Sequence, residues 1–328
     1  MLIRPIKEVL KNPYYFLLIR IYRYLYGLKI SRENIVHIKQ LEETVHQKND
    51  LYKKGGLPAA DFQNLINYKN SDTLFVLGSG ATVNNLSTED WDTVRNFDSL
   101  ALNFFLAHPH TPTFLQIELG GPHFSYFKDL YLKKESTFKK VPIIISLYEK
   151  LKEFPFHYLD YIKNPFISSP RRFNYFSEND LREIFSWYEK FKREKDFLFH
   201  YRGSLITAIS LGTMLNYKRI ILLGIDLNST EYFYDHPMYH SKEVLNLISY
   251  RKAQEKERYL AIANQLEEIH PTANKNWVKE NMTIDEIIKV YKEEVLDKRN
   301  IELYVTNKKS LLYPALDYID IKALNKYS

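Results

Sequence analysis

A short apolar segment that breaks at two glycines constrains this chain more than any other feature. Residues 73–77 have the β-branched and aromatic composition of a buried strand, and Gly78-Ser79-Gly80 follows directly. Residues without a Cβ let backbone N–H groups approach a ligand closely. At the carboxyl end of a parallel strand, such a turn faces the crevice where open α/β sheets bind phosphates. The pattern predicts a strand, a turn and a helix around a ligand site, although glycine turns also form simply to let a chain reverse.

Further apolar runs extend this strand into a sheet, and helical segments alternate with them. The runs are residues 99–103, 114–118, 141–146 and 220–223, and the helical segments include 178–195 and 205–215. Residues 86–90 supply helix-capping chemistry. This alternation predicts an α/β, Rossmann-like fold with a mostly parallel sheet flanked by helices. Residues 150–177, rich in Phe, Tyr and Pro, indicate a lid-like insertion without regular structure, and residues 228–275 a second one.

The first thirty residues predict an amphipathic helix. Arg20 and Arg23 interrupt its apolar run, so no uncharged stretch reaches the roughly 18 residues of a spanning helix. Aromatic and aliphatic residues beside basic ones are typical of a helix that lies in the plane of an anionic membrane. A helix packed on the domain or between copies of the chain is the alternative. The polar residues 31–72 predict a short helix and a linker, so the main domain is expected to span 73–328.

Composition limits the chemistry. The 328 residues include no cysteine, which excludes disulfides, thiolate metal sites and cysteine nucleophiles. The net charge of +6 comes from basic residues spread along the whole chain. This diffuse excess suits an anionic substrate or an anionic membrane surface, and it does not indicate nucleic-acid binding.

A second informative stretch joins a basic turn, a helix and a strand. Arg202-Gly203-Ser204 precedes the small-residue helix, whose free N–H groups together with a cation would hold a phosphate or a carboxylate. The apolar run 220–223 has the pattern of a central parallel strand, and Asp226 follows it. Asp226 is therefore expected at the carboxyl edge of the sheet, where ligands bind.

Several segments, in this order and spacing, resemble the bacterial single-domain sialyltransferases and their relatives that use CMP-activated nonulosonic acids or Kdo. They are Leu-Gly-Ser-Gly at 77–80, Leu-Asn-Phe at 102–104, Arg-Gly-Ser at 202–204, residues 217–226, the isolated His270, and residues 301–304 with 310–312. The resemblance covers residues 73 to about 315. Its most specific part is the Leu-Gly-Ile-Asp that ends residues 217–226.

This resemblance implies a modified Rossmann-like, GT-A-like glycosyltransferase and a role for each matching position. The implied nucleotide and donor contacts are Gly78, Ser79, Gly80, Asn103 and Ser204, with Tyr232 or Tyr234 on the leaving phosphate, and the implied base is His270. The chain departs from the family at Ser79, where Asn is usual, at Asn228, where a tyrosine is usual, and at Gly203-Ser204, which reverses the usual order. We add Arg202, Gly203, Asp226 and Ser310 to the nucleotide-site candidates.

The chemistry explains these residue types without the family. A leaving CMP phosphate already carries charge, so uncharged donors can stabilise it with no metal or other cofactor. The acceptor hydroxyl must lose a proton, and a histidine with a pKa near about 6.5 can take it. Among ten histidines, His270 stands alone after a helix expected at 241–268, and His236 and His240 are its rivals. Glu118, at a strand end, is a candidate sugar contact or a nucleophile of a retaining mechanism, with a solvated loop glutamate as the alternative.

Together these patterns predict a metal-free glycosyltransferase that moves an acid sugar from a CMP-activated donor to a glycan or glycolipid acceptor. The expected setting is bacterial lipopolysaccharide or capsule biosynthesis at the cytoplasmic face of the membrane. The alternatives are another nucleotide-dependent enzyme, such as a pterin diphosphokinase-like transferase or a methyltransferase, and a non-catalytic membrane-bound assembly protein. Association of identical copies is left open.

Overall fold

A computed structural model describes residues 62–118, 123–146, 159–168, 177–190, 198–261, 270–273 and 282–326. The amphipathic segment 1–30, the linker up to residue 61 and most of the expected lid at 150–177 lie outside the described residues. Eight strands form one sheet. They are β1 (Thr73–Leu77), β2 (Asp98–Leu102), β3 (Phe114–Glu118), β4 (Ile143–Ser146), β5 (Pro165–Ser168), β6 (Arg219–Leu223), β7 (Glu302–Val305) and β8 (Asp317–Tyr318).

The order of the strands creates a switch point beside β1. The sheet runs β5-β4-β3-β2-β1-β6-β7-β8, and every pairing among these strands is parallel. The chain therefore builds outward from β1 through β5, then returns to the other side of β1 with β6. Ligands of open α/β sheets bind where the strand order reverses, outside the carboxyl ends. The predicted α/β fold with a parallel sheet is confirmed.

Helices cover both faces of the sheet. They are α1 (Thr88–Arg95), α2 (His123–Lys133), α3 (Glu135–Phe138), α4 (Glu178–Lys190), α5 (Ser204–Met214), α6 (Lys242–Ala261) and α7 (Ile284–Tyr291). Alternate residues of β1 point to opposite faces, so Leu74 and Val76 pack with α4, α5 and α7, whereas Phe75 and Leu77 pack with α1, α2 and α6. Burial on both faces explains why the strands are continuous apolar runs.

The small residues of α5 bring that helix close to the sheet. A Cβ on Gly212 would lie 2.9 Å from Ile220 Cδ1 and 3.1 Å from Leu74 Cδ2. Residues Ser204 to Thr213 are all buried. Close packing of α5 places its first turn next to the carboxyl ends of β2 and β3. The Asn103 and Glu118 side chains there contact Ser204, the first residue of α5.

The structure differs from expectation in several segments. β5 lies inside the expected irregular lid, because Phe166 and Ile167 are buried and its Pro165 occupies the first position of an edge strand, where no ladder N–H is needed. Residues 62–68, assigned to the linker, form a 3₁₀ helix whose Leu65 is buried in the core.

Other local expectations hold. Ser87 caps α1, and Asp90 completes the capping box, as residues 86–90 predicted. The element directly after the glycine turn is a 3₁₀ helix, Ala81–Asn85, before α1 begins. The long helix expected at 241–268 is described as α6 as far as residue 261. None of the helices among the described residues combines the length and the apolar character needed to cross a membrane.

Candidate active site

Two neighbouring cavities open at the carboxyl edge of the sheet. The first, of about 340 Å³, lies over the glycine turn and the ends of β1 and β6, and we call it the turn cavity. The second, of about 270 Å³, lies under α6, and we call it the helix cavity. Their common wall consists of Ser79, Asn103, Glu118, Tyr232, His270 and Thr272. Five of these six side chains were selected from the sequence, and Thr272 was not.

The glycines of the turn are needed by the protein backbone itself. The Gly78 N–H donates to Leu223 O at 2.7 Å, and the Gly80 N–H donates to Gly224 O at 2.9 Å. A Cβ on Gly78 would lie 2.5 Å from Gly224 O, which no real Cβ tolerates. The last residue of β6 and the residue after it thus accept these two N–H groups, contrary to the expectation that the N–H groups face a ligand. Ser79 between them is half-buried and lines both cavities.

Asp226 fastens the glycine turn. Its carboxylate accepts hydrogen bonds from the Thr82 backbone N–H at 3.1 Å, from the Thr82 hydroxyl at 2.5 Å and from Asn307 Nδ2 at 3.2 Å. The residue is only 5% exposed. It lines the turn cavity as predicted from sequence, but three protein donors already use its oxygens, so its evident role is to lock the loops together.

A second hydrogen-bond network joins the ends of β2 and β3 to the start of α5. Asn103 Nδ2 donates to Ser204 Oγ at 3.1 Å, and Asn103 Oδ1 accepts the Glu118 N–H at 3.1 Å. Ser204 Oγ in turn donates to Glu118 Oε1. Asn103 adopts a left-handed φ of 50°, a conformation that Asn tolerates better than most residues. The hydroxyl proton of Ser204 is therefore already committed, and Glu118 places a carboxylate beside the N-terminus of α5.

The backbone before α5 is strained at the cavity wall. Arg202 has a φ of 55° and Gly203 a φ of 132°, and both line the turn cavity. Only glycine adopts the second conformation readily. Arg202 is 8% exposed, so its positive charge is buried close to the free N–H groups of the first turn of α5. This arrangement could hold an anion, as the sequence predicted.

His270 meets Tyr232 at the junction of the two cavities. Its Nε2 lies 3.3 Å from the Tyr232 hydroxyl, and its Nδ1 lies 2.9 Å from Thr272 Oγ1. The Thr272 backbone N–H also donates to Nδ1, at 3.3 Å, when the ring proton is on Nε2. When the ring proton is on Nδ1 instead, Thr272 Oγ1 accepts it and Nε2 keeps the lone pair that a base needs. The backbone N–H of His270 donates to Leu227 O at 2.9 Å, which ties the segment 270–273 to the loop after β6.

The imidazole of His270 is neutral at pH 7. Burial lowers its pKa to about 4, and the positive charge of Arg251 contributes in the same direction. The sequence assumed an ordinary histidine, which titrates near about 6.5. His270 therefore stays unprotonated over a wider pH range than expected, but it is a weaker base than an ordinary histidine.

Arg251 is a site residue that the sequence did not single out. It extends from α6 into the wall of the helix cavity, and its guanidinium lies 4.3 Å from the ring centroid of Tyr232 and 5.7 Å from that of Tyr234. The two tyrosine rings stack on each other with 5.2 Å between centroids. Nothing distinguishes Arg251 from the other basic residues of a long polar helix, so no sequence signal could have identified it.

The remaining candidates lie away from the two cavities. Asn228 is exposed and donates to Lys309 O at 2.8 Å, and Ser310 is buried and donates to Ile225 O at 2.6 Å. The rival histidines His236 and His240 are exposed and line neither cavity. Within the described ranges, no group of three or more His, Asp or Glu side chains is placed to hold a metal ion.

Comparisons with known proteins give only distant likenesses. No family model and no curated protein matches the chain. Among solved structures, the chain is similar to an Asn-to-Ala variant of the sialyltransferase CST-II in complex with CMP, with 18% identity, a TM-score of 0.44 and coverage of 75% of this chain and 86% of that chain. It is also similar to CstII from Campylobacter jejuni in complex with the substrate analogue CMP-3FNeuAc, with 16% identity, a TM-score of 0.38 and coverage of 75% and 84%. Likenesses of this extent do not assign an activity.

Proposed function

We propose that the protein is a glycosyltransferase that moves an acid sugar from a CMP-activated donor to a hydroxyl of a glycan or glycolipid acceptor, without a metal ion. The observation that carries this proposal is the common wall of the two cavities, where His270 and Tyr232 meet at 3.3 Å. Group transfer requires two substrates held against each other at one point, and two adjoining cavities provide such a point. A base and a phenol stand where the reacting atoms would meet.

The donor belongs in the turn cavity. This cavity lies at the switch point of the sheet, and buried Arg202 with the first turn of α5 supplies positive potential for an anion there. Ser79 and the Tyr232 hydroxyl are uncharged donors that can bind the departing phosphate. The choice of CMP and of an acid sugar (sialic acid, a related nonulosonic acid or Kdo) rests on the sequence resemblance of residues 73 to about 315.

The acceptor belongs in the helix cavity, with His270 as general base. As the acceptor oxygen attacks the anomeric carbon, the bond from that carbon to the phosphate oxygen breaks, and the acceptor proton passes to His270 Nε2. Burial and Arg251 set the pKa of His270 at about 4. A phosphate bound next to the ring favours the imidazolium and raises this pKa, so the donor itself would make His270 a stronger base.

Glu118 has a supporting role in this scheme. Its carboxylate accepts a hydrogen bond from the Ser204 hydroxyl, and its backbone N–H donates to Asn103 Oδ1. A carboxylate held in this way orients the wall that both substrates touch. The retaining route, in which Glu118 would attack the sugar, is the competing mechanism and is distinguished by the variants in the Discussion.

A nucleotide screen by thermal shift tests the proposed donor. A ligand at about 100 times its dissociation constant stabilises a protein by roughly 2.7 kcal/mol, which is readily measured. CMP should raise the melting temperature, whereas UDP, GDP and S-adenosylmethionine should not. Stabilisation by one of the latter and not by CMP would contradict the proposal. Transfer from a CMP-linked acid sugar should also persist in EDTA, and activity that EDTA abolishes and magnesium restores would contradict the metal-free mechanism.

We also propose that residues 1–30 attach the enzyme to the cytoplasmic face of a bacterial membrane, where lipid-linked acceptors for lipopolysaccharide or capsule are found. The support is the basic, aromatic sequence of this segment. In flotation assays with anionic vesicles, the full chain should float and a chain beginning at residue 31 should not. Equal flotation of the two would contradict this location.

A further inference from the structure

One guanidinium ties together the loop that carries Tyr232. Arg251 donates through Nη1 to Thr230 O at 3.2 Å and forms an ion pair through Nη2 with Asp235. Asp235 also accepts the backbone N–H of Tyr232 at 2.9 Å. The same guanidinium covers the Tyr232 ring at 4.3 Å. Arg251 thereby fixes the loop to α6 before Tyr232, through Thr230, and after it, through Asp235, and it also contacts the Tyr232 ring.

We propose that Arg251 is a positioning residue for the transfer reaction, which holds the Tyr232 hydroxyl in place against His270 and the departing phosphate. This inference rests on the proposed function. Its geometric basis is that several contacts converge on Tyr232. An isolated bridge to Gly80 holds its backbone, and His270 contacts its hydroxyl and the edge of its ring. The guanidinium of Arg251 and the stacked ring of Tyr234 lie against the Tyr232 ring and orient it.

The charge balance distinguishes this role from simple anion binding. The Arg251 side chain is only 13% exposed, and Asp235, with 20% exposure, pairs with it directly. A guanidinium engaged by a carboxylate, a carbonyl and an aromatic face is a rigid support, and its charge is balanced within the protein. A cation on the face of a phenol also withdraws electron density from the ring, which makes the hydroxyl a stronger hydrogen-bond donor.

The groups around His270 also set how it responds to Arg251. The charged groups on its two cavities are Arg251 from α6, Arg202 before α5, Glu118 at the end of β3, and Asp226 and Glu231 from the loop after β6. Burial is the larger cause of the low pKa of His270, and Arg251 is the second. Removal of the Arg251 charge should therefore raise the pKa of His270 above 4 without reaching the usual 6.5.

Kinetics with matched substitutions test the proposal. Arg251→Met removes both the charge and the hydrogen bonds, and Arg251→Lys keeps the charge but cannot reach Thr230 and Asp235 in the same way. We expect kcat to fall about 10- to 100-fold in both variants, because a displaced reacting group loses that much, while the donor KM stays within about twofold. Arg219→Met is the control: Arg219 pairs with Glu302 at the amino ends of β6 and β7, far from both cavities.

Histidine NMR provides a test that does not need the reaction. With ¹³C-labelled histidine and a His270→Ala spectrum for assignment, the His270 titration should move upward in Arg251→Met and stay near that of the wild type in Arg251→Lys. Loss of kcat in both variants together with this split in the titration supports the proposal. It is overturned if Arg251→Met loses no more turnover than Arg219→Met, or if it raises the donor KM at unchanged kcat.

The same titration separates failure of this inference from failure of the proposed function. If the wild type transfers no CMP-linked sugar, the function is wrong, and the NMR result still decides whether Arg251 acts on His270. An unchanged His270 titration in Arg251→Met, with an unchanged melting temperature, overturns the coupling whatever the reaction is.

Discussion

The two cavities differ in how they are built. The turn cavity consists mainly of strand ends and the loops that follow them. The N–H groups of Gly78 and Gly80 donate to Leu223 O and Gly224 O, and the Asp226 carboxylate accepts from Thr82 and Asn307. The helix cavity brings together side chains from Ser79 to Thr272, and aromatic rings from a loop and a helix provide much of its surface. The first cavity is part of the framework of the fold. The second is assembled on that framework by contacts distant in sequence.

This difference predicts different consequences of mutation. Substitutions in the glycine turn and the loops around the turn cavity should mainly lower the free energy of unfolding, because an added atom there would clash with the backbone. Substitutions in the common wall or the helix cavity should mainly lower turnover or ligand affinity, because side-chain contacts hold the groups there in place. Substitutions at matched positions can break or sharpen this contrast.

The largest effect is expected at His270. His270→Ala should lower turnover by about 10²- to 10⁴-fold, since proton transfer contributes that much, and should leave CMP affinity nearly unchanged. Steady-state kinetics and calorimetry measure the two quantities, and His236→Ala, an exposed histidine of the neighbouring loop, is the control. Near-normal turnover in His270→Ala, with an inactive Glu118→Gln, would replace the base mechanism with a retaining route through Glu118.

The glycine turn provides the opposite case. Gly80 has φ and ψ of −67° and 155°, which any residue adopts, but a Cβ would lie 2.4 Å from Asp226 Oδ2 and 2.7 Å from Gly224 O. Gly80→Ala should therefore destabilise the protein by about 1–3 kcal/mol through overpacking. Ser79→Ala adds no atoms, so it should keep the unfolding free energy while weakening CMP binding. Urea denaturation measures the unfolding free energies of both variants. A Gly80→Ala variant as stable as the wild type would show that the turn is not rigid.

Substitutions of Asn103 test the common wall, where one residue is expected to affect both stability and CMP affinity. Asn103→Ala removes the amide that contacts Ser204 and Glu118, and CMP affinity should fall by about 1–3 kcal/mol if a polar partner is left unpaired. The φ of 50° adds a backbone cost for Ala that Gly does not have. Asn103→Gly should thus lose the same affinity but less stability. Calorimetry that finds wild-type affinity in both variants would remove Asn103 from the nucleotide site.

The last effect concerns pH and is a sum over three histidines. Burial lowers the pKa of His108 to about 3, and that of His110 and His270 to about 4. In the unfolded chain these groups take up protons near about pH 6.5, so the folded state loses stability as pH falls from there toward 4, by up to about 1.4 kcal/mol per pH unit and histidine. Denaturation at pH 7 and pH 5 should show this loss, and His270→Asn should show less of it. Equal unfolding free energies at the two pH values would contradict the burial of these rings.

Sequence reasoning succeeded where the signal was local. The apolar runs of β1 and β6, the Ser87 cap and the small-residue helix α5 each depend on neighbours within a few positions, so their patterns predicted them. It failed at β5 and at residues 62–68, because a short polar or proline-containing segment acquires its structure from the edge of the sheet it joins.

The sequence by itself determined the α/β class and the parallel sheet, because hydrophobic periodicity and turn chemistry are properties of consecutive residues. It also predicted the carboxyl edge of the sheet as the place of a site. Only the tertiary structure decided which polar groups are still available there. It showed that the N–H groups of Gly78 and Gly80 and the carboxylate of Asp226 are used within the protein. It also placed Arg251 on Tyr232 and buried His270 enough to lower its pKa, since burial and long-range pairing arise only when distant segments pack together.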